Sequence, residues 1–174
     1  MTQVQVHGIG IDARWAQPLV LLQEVDGRER ILPVWMAEMD AAAVVAAQKG
    51  VSTPRPDTHT LIGTVLETFG RRLTGVVITT MRDNVFHAEL IVDGDLRIDA
   101  RTSDALALAL RTGVGIEATD AVLDRAGVPP GTVVTTDEQA AADTVSDSPV
   151  NEVEVERFRR MLDDASPSDF EQDS

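Results

Sequence analysis

"RLTGVVITTMRDNVFHAELIVDGDLRIDAR", residues 72–101, decides the fold. Three runs rich in β-branched and large apolar residues are punctuated by Asp83-Asn84 and Asp93-Gly94. Such pairs tolerate the positive φ that tight hairpin turns demand. Two of these turns in succession predict three antiparallel strands joined as a meander, not strands separated by crossover helices. The last run leads into "SDALALALRTG" (103–113), made of strong helix formers and closed by glycine, with Thr102 or Ser103 as the natural N-cap.

Working outward, the N-terminal part has a similar grammar. "VQVHGIGID" (4–12) alternates, with Val4, Val6 and Gly8 on one face and Gln5, His7, Ile9 and Ile11 on the other. "PLVLLQEV" (18–25) is a second strand, Asp26-Gly27 a hairpin turn, and "RILPVWM" (30–36) the returning strand. Pro33 cannot donate to a ladder and belongs on an edge or at a strand end. "AEMDAAAVVAAQKG" (37–50) is a helix, so a strand running into a helix occurs twice, around 30–49 and 95–112. Between them, Asp57 or Thr58 caps a helix over "THTLIGTVLETFG" (58–70), whose apolar face is Leu61, Val65, Leu66 and Phe69. A short extended piece at Ile116 and a small helix over 119–127 follow. The sum is an α+β domain over 1–128, a mixed, mostly antiparallel sheet with packed helices. Beyond it the composition turns acidic and small: a mobile linker over 129–150, then a tail over 151–174. In that tail Val155, Phe158, Met161 and Leu162 mark an amphipathic helix over 151–165.

The chain has no cysteine, which excludes disulfide frameworks and thiolate chemistry. No apolar run is long enough for a membrane helix, and the N-terminus has no signal-peptide pattern, so a cytoplasmic protein without membrane contact is expected. Net charge is −14, and residues 129–174 hold most of the excess, with twelve acids against three arginines. That balance repels phosphates at long range and predicts weak nucleic-acid binding. The domain carries more apolar surface than one thin sheet covers, which predicts a homo-oligomer, in the simplest case a dimer.

Asp99 and Arg101 share a strand face, and Asp104 follows in the first turn of the next helix. Two readings are open. Asp99 and Asp104 form a carboxylate pair for a divalent cation, Mg²⁺ or Mn²⁺, with Arg101 gripping a phosphate through both prongs of its guanidinium. Alternatively Arg101 and a carboxylate pin strand to helix, Asp99 being the favoured partner. "RPDTH" (55–59) likewise offers Arg55, Asp57 and His59 for phosphate binding and proton transfer, or only a capped helix start. Glu38 and Asp40 open another helix where acids suit the dipole, and Trp35 beside them reads as core. His7 and His87 read as surface or interface residues.

Four blocks in this order, "PLVLLQEVDGRERILPVWMAEMDAAAVVAAQKG", "RPDTHTLI", "VVITTMRDNVFHAELIV" and "IDARTSDALALALRTG", resemble the bifunctional nuclease domain family over about residues 3–130. The resemblance implies a compact α+β domain, often oligomeric, with nuclease action on DNA and RNA and a divalent metal as helper. It brings forward Glu38, Asp57, His59, Asp99, Arg101, Ser103 and Asp104 by position without assigning roles. Thr102 stands where family members commonly have proline. The expected site is thus Asp99, Arg101, Asp104 and His59 for catalysis, with Asp57, Asp99 and Asp104 for metal. The competing expectation is a non-catalytic oligomeric module that binds a ligand or a regulatory protein.

Overall fold

The computed structural model describes residues 1–12 and 17–130. In chain order these form β1 (Thr2–Asp12), β2 (Gln17–Glu24), β3 (Ile31–Trp35), α1 (Glu38–Gln48) and α2 (Thr58–Thr68). Then come β4 (Leu73–Arg82), β5 (Val85–Val92), β6 (Leu96–Arg101), α3 (Thr102–Thr112), β7 (Ile116–Ala118) and α4 (Asp120–Ala126). The expected α+β architecture holds. A seven-stranded sheet has the order β3-β2-β1-β7-β4-β5-β6, antiparallel except for the β4–β7 pair. The expected linker from residue 131 on, and the expected helix over 151–165, lie outside the described residues.

The turn chemistry explains the meander. Asp83 and Asn84 both take positive φ, 48° and 62°, the requirement of a two-residue hairpin between Arg82 and Val85. Asp93 and Gly94 do the same at 54° and 88°, with Asp95 completing the loop between Val92 and Leu96. The β2–β3 hairpin departs from the expected tight turn at Asp26-Gly27. Its connection spans residues 25–30, and positive φ falls on Gly27 and Glu29. Glu24 and Arg30 close that loop. Arg30 donates from Nη2 to Glu24 Oε1 at 3.0 Å and from Nε to Oε2 at 3.1 Å, and Glu24 is buried. Pro33 sits on the edge strand β3, as its missing N–H requires.

The sheet has a duplicated plan. β1-β2-β3-α1 and β4-β5-β6-α3 are each a three-strand meander ending in a helix, and β7 joins the two meanders at the centre of the sheet. Five consecutive α3 residues, Ala105–Ala109, are buried. The helix lies against β4 and β5 on one side and against α1 and α2 on others. The core gathers Val20, Leu22, Leu32, Val44, Val76, Ile78, Leu106 and Leu108 from both halves. The α3 cap differs from the expected one. Arg101 holds the N-cap position, and Thr102 is already helical, its buried hydroxyl donating to Phe86 O at 3.0 Å. α2 buries no residue at all, and Leu61, Ile62, Val65 and Phe69 of its apolar face are exposed.

Candidate functional site

β3 and β6 are the two edges of the sheet, yet they bound one cleft of about 430 Å³. The sheet therefore curls until the ends of its edge strands, and the starts of the helices that follow them, face each other. Trp35 comes from the end of β3, Asp40 from the first turn of α1, and Asp99, Arg101 and Ser103 from the β6–α3 junction. β5 contributes His87, which pairs with Arg101 across the ladder and so shares its face.

Arg101 organises the mouth. Its Nε donates to Asp104 Oδ2 at 2.7 Å and its Nη2 to Asp104 Oδ1 at 2.9 Å, with a longer bond from Nη2 to Asp40 Oδ1 at 3.4 Å. The Asp104 partnership is the bidentate fork, so both prongs expected for phosphate are already used. Nη1 has no partner among the described residues, and the side chain is 66% exposed. The expected pairing of Arg101 with Asp99 is corrected here: its partners are Asp104 and Asp40. Geometry explains the choice, because the helix N-cap position at Arg101 turns its side chain back over the first turn of α3, three residues on. The hydrogen bonds from Arg101 hold the Asp104 carboxyl below the usual carboxylate range, and the pair raises the guanidinium in turn.

His59 Nε2 lies 3.3 Å from Asp104 Oδ1, on a side chain only 16% exposed. First-turn residues of three helices are thus linked: Asp40 and Asp104 meet at Arg101, and His59 joins through Asp104. Asp104 Oδ1 accepts from His59 Nε2 while the carboxylate binds Arg101. His59 and Asp104 stand behind Arg101 and do not line the cleft.

Asp57 is elsewhere. It caps α2 by accepting from Thr60 N at 2.8 Å through Oδ1, and it accepts from Arg111 Nη2 at 2.6 Å through Oδ2. The backbone hydrogen bond from Thr60, followed by the Arg111 charge, lowers its carboxyl. Asp99 lines the cleft with no hydrogen bond or ion pair among the described residues. The carboxylates expected as one metal-ligand set are therefore in three different environments. Among the described residues no three His, Asp or Glu side chains are placed to hold a metal ion together. Between Asp40 and Asp104 stands a single guanidinium, whose one positive charge the two carboxylates share.

Trp35 is also corrected. It is 43% exposed, not core, and its Nε1 donates to Asp12 Oδ2 at 3.1 Å. Arg55 and Glu38 are exposed and outside the cleft, and Ser103 is buried at its floor. Sequence reasoning passed over His87 as a site residue. A two-residue turn at Asp93-Gly94 would set Phe86 opposite Arg101; the third loop residue, Asp95, shifts the register by one and brings His87 there. Asp40 gave no signal, since only tertiary packing of α1 on α3 brings it to Arg101.

The family model for the bifunctional nuclease domain matches residues 20–131. An uncharacterized protein of Mycobacterium tuberculosis (strain H37Rv) is 40% identical over 170 residues, 98% of each chain. Bifunctional nuclease 2 of Oryza sativa subsp. japonica is 30% identical over 117 residues, 64% of this chain and 36% of that protein. Bifunctional nuclease 2 of Arabidopsis thaliana is 29% identical over 104 residues, 56% and 32% of the two chains. The match therefore spans about a third of each plant protein.

Proposed function

The chain belongs to the bifunctional nuclease domain family, and from that membership we propose that it hydrolyses phosphodiester bonds of nucleic acid in the cleft between the edge strands. The observation that carries this reading is the meeting of Arg101, its Nη1 unengaged among the described residues, and His87 on one face of one cleft. Nη1 contacts a non-bridging phosphate oxygen and offsets charge as it develops. His87 takes the proton of the attacking water as that oxygen bonds to phosphorus. The P–O bond to the leaving sugar oxygen then breaks, and solvent protonates that oxygen. Asp104 and His59 are positioning residues, fixing the guanidinium so that Nη1 points outward.

The test is cleavage of single-stranded DNA and RNA by purified protein, with Mg²⁺, with Mn²⁺ and with EDTA; these arms decide the expected need for a divalent cation. His87→Ala is expected to lower the rate by about 100-fold or more, the usual worth of a general base. Arg101→Ala is expected to do likewise. Wild-type protein that cleaves nothing, in preparations free of contaminating nuclease, overturns the proposal.

A second reading, a self-associating module, rests on α2. An isolated helix of eleven residues is marginal in water. This one keeps four large apolar side chains exposed on its outer face. We propose that a second copy of the chain covers them.

A further inference from the structure

We propose that the same cleft is a subsite for one unpaired nucleobase and that it prefers guanine; this rests on the nucleic-acid reading above and adds the substrate feature recognised. Trp35 supplies the first observation. Its strand neighbours Ile31–Val34 are buried, whereas the indole, at the strand end, opens onto the cleft. The hydrogen bond to Asp12 satisfies the indole N–H and fixes the ring, so a flat ligand meets a preformed surface. Aromatic platforms of this kind stack bases of any sequence.

Asp99 supplies the second. A carboxylate only accepts, and this one has no donor among the described residues. Neither neighbouring arginine pairs with it: Arg97 binds Glu89 at 2.9 Å, and Arg101 turns to Asp104 and Asp40. The edge that suits an unpaired carboxylate presents two N–H donors side by side. Guanine does so with N1–H and N2–H₂. Adenine sets an acceptor, N1, beside its one amino group; cytosine does the same with N3; thymine and uracil flank their one N–H with carbonyls. Guanine uses that edge in a duplex, so recognition requires an unpaired strand.

Size and charge agree. About 430 Å³ accommodates a nucleoside. A neutral base enters beside Asp40 and Asp99 without the repulsion a phosphate meets there, while the adjoining phosphate lies at Arg101 Nη1.

The test uses the full chain with Trp15→Phe, so that emission reports Trp35 alone. It is titrated with deoxyguanosine, deoxyadenosine, deoxycytidine, thymidine and, as an organic cation, agmatine. Expected are saturable quenching and at least tenfold tighter binding of deoxyguanosine than of deoxyadenosine, with that preference lost in Asp99→Asn. By calorimetry, Trp35→Ala should weaken deoxyguanosine binding about tenfold or more. Equal binding of all four nucleosides, no binding, or binding of agmatine alone overturns the inference. Cleavage of single-stranded oligonucleotides separates the two proposals. Cleavage with no base preference leaves hydrolysis standing and removes the guanine subsite. Selective guanosine binding without any cleavage leaves the subsite and removes hydrolysis.

Discussion

Arg101 was legible in the sequence as a cation among acids, but its partner was not. Alternation along β6 puts Asp99 on its face, whereas the helix start puts Asp104 within reach, and the bidentate geometry to Asp104 prevails. Local spacing names the candidates; the backbone direction at the strand–helix junction chooses between them. The carboxylates engaged in this way tie stability to pH. Arg30 holds Glu24 down through side-chain hydrogen bonds, Thr60 holds Asp57, and Arg101 holds Asp104. Each has a folded-state value below its unfolded one, so as pH falls the unfolded chain binds protons first. Their contribution is full above the unfolded values, around 4.5 for Glu24 and 3.8 for the aspartates, and is lost as pH falls through the folded ones. Denaturant midpoints between pH 7 and pH 3 should therefore drop below about pH 5, and Asp57→Asn should flatten part of that slope. Glu24→Ala should cost about 3–5 kcal/mol at pH 7, because it leaves the largely buried Arg30 with only Asp124. A loss below 1 kcal/mol in urea titrations would contradict that account.

At the scale of elements, the turns and helix stops were readable because they are local chemistry: a positive-φ pair at Asp83-Asn84, a left-handed Gly113 after α3, the Asp57 cap on α2. What covers an apolar face is not local, and α2 shows the difference. Its periodicity marks Leu61, Val65, Leu66 and Phe69 as one stripe. The fold uses α2 only as a flank of α3, tied by Asp57 to Arg111 and by His59 to Asp104. Leu61, Val65 and Phe69 are left outside, and Leu66 is half-buried. If a second copy closes over the stripe, the 18.8 kDa chain should scatter light as a dimer at micromolar concentration. Leu61→Glu with Phe69→Glu should return it to monomer without lowering the helical signal. Stripe residues that face solvent in both states would instead leave the double variant at unchanged mass.

For the whole molecule, the strand–helix recurrence visible around 30–49 and 95–112 is the trace of a larger duplication, in which each helix follows a complete meander. The sequence showed the recurrence without showing its consequence, because the two halves share pattern and not residues. Their edge strands end at one cleft, and this places Trp35 and Asp40 of the first half beside Asp99 and Arg101 of the second. A site divided in this way exists only while the halves are held in register. Within the sheet that register passes through β7, three residues long, where Ile116 pairs with Val4 on one side and Val76 on the other. Ile116 is buried in the shared core, and α1 against α3 is the other tie. Ile116→Ala should thus cost about 2–5 kcal/mol, the usual range for truncating a buried aliphatic side chain. Because the halves share one core, the loss should appear as a single cooperative transition at lower temperature, with calorimetric and van't Hoff enthalpies equal. Two separated transitions in the variant would mean that each meander and its helix hold together alone. Cleft binding would then be lost at the lower transition, before either half unfolds completely.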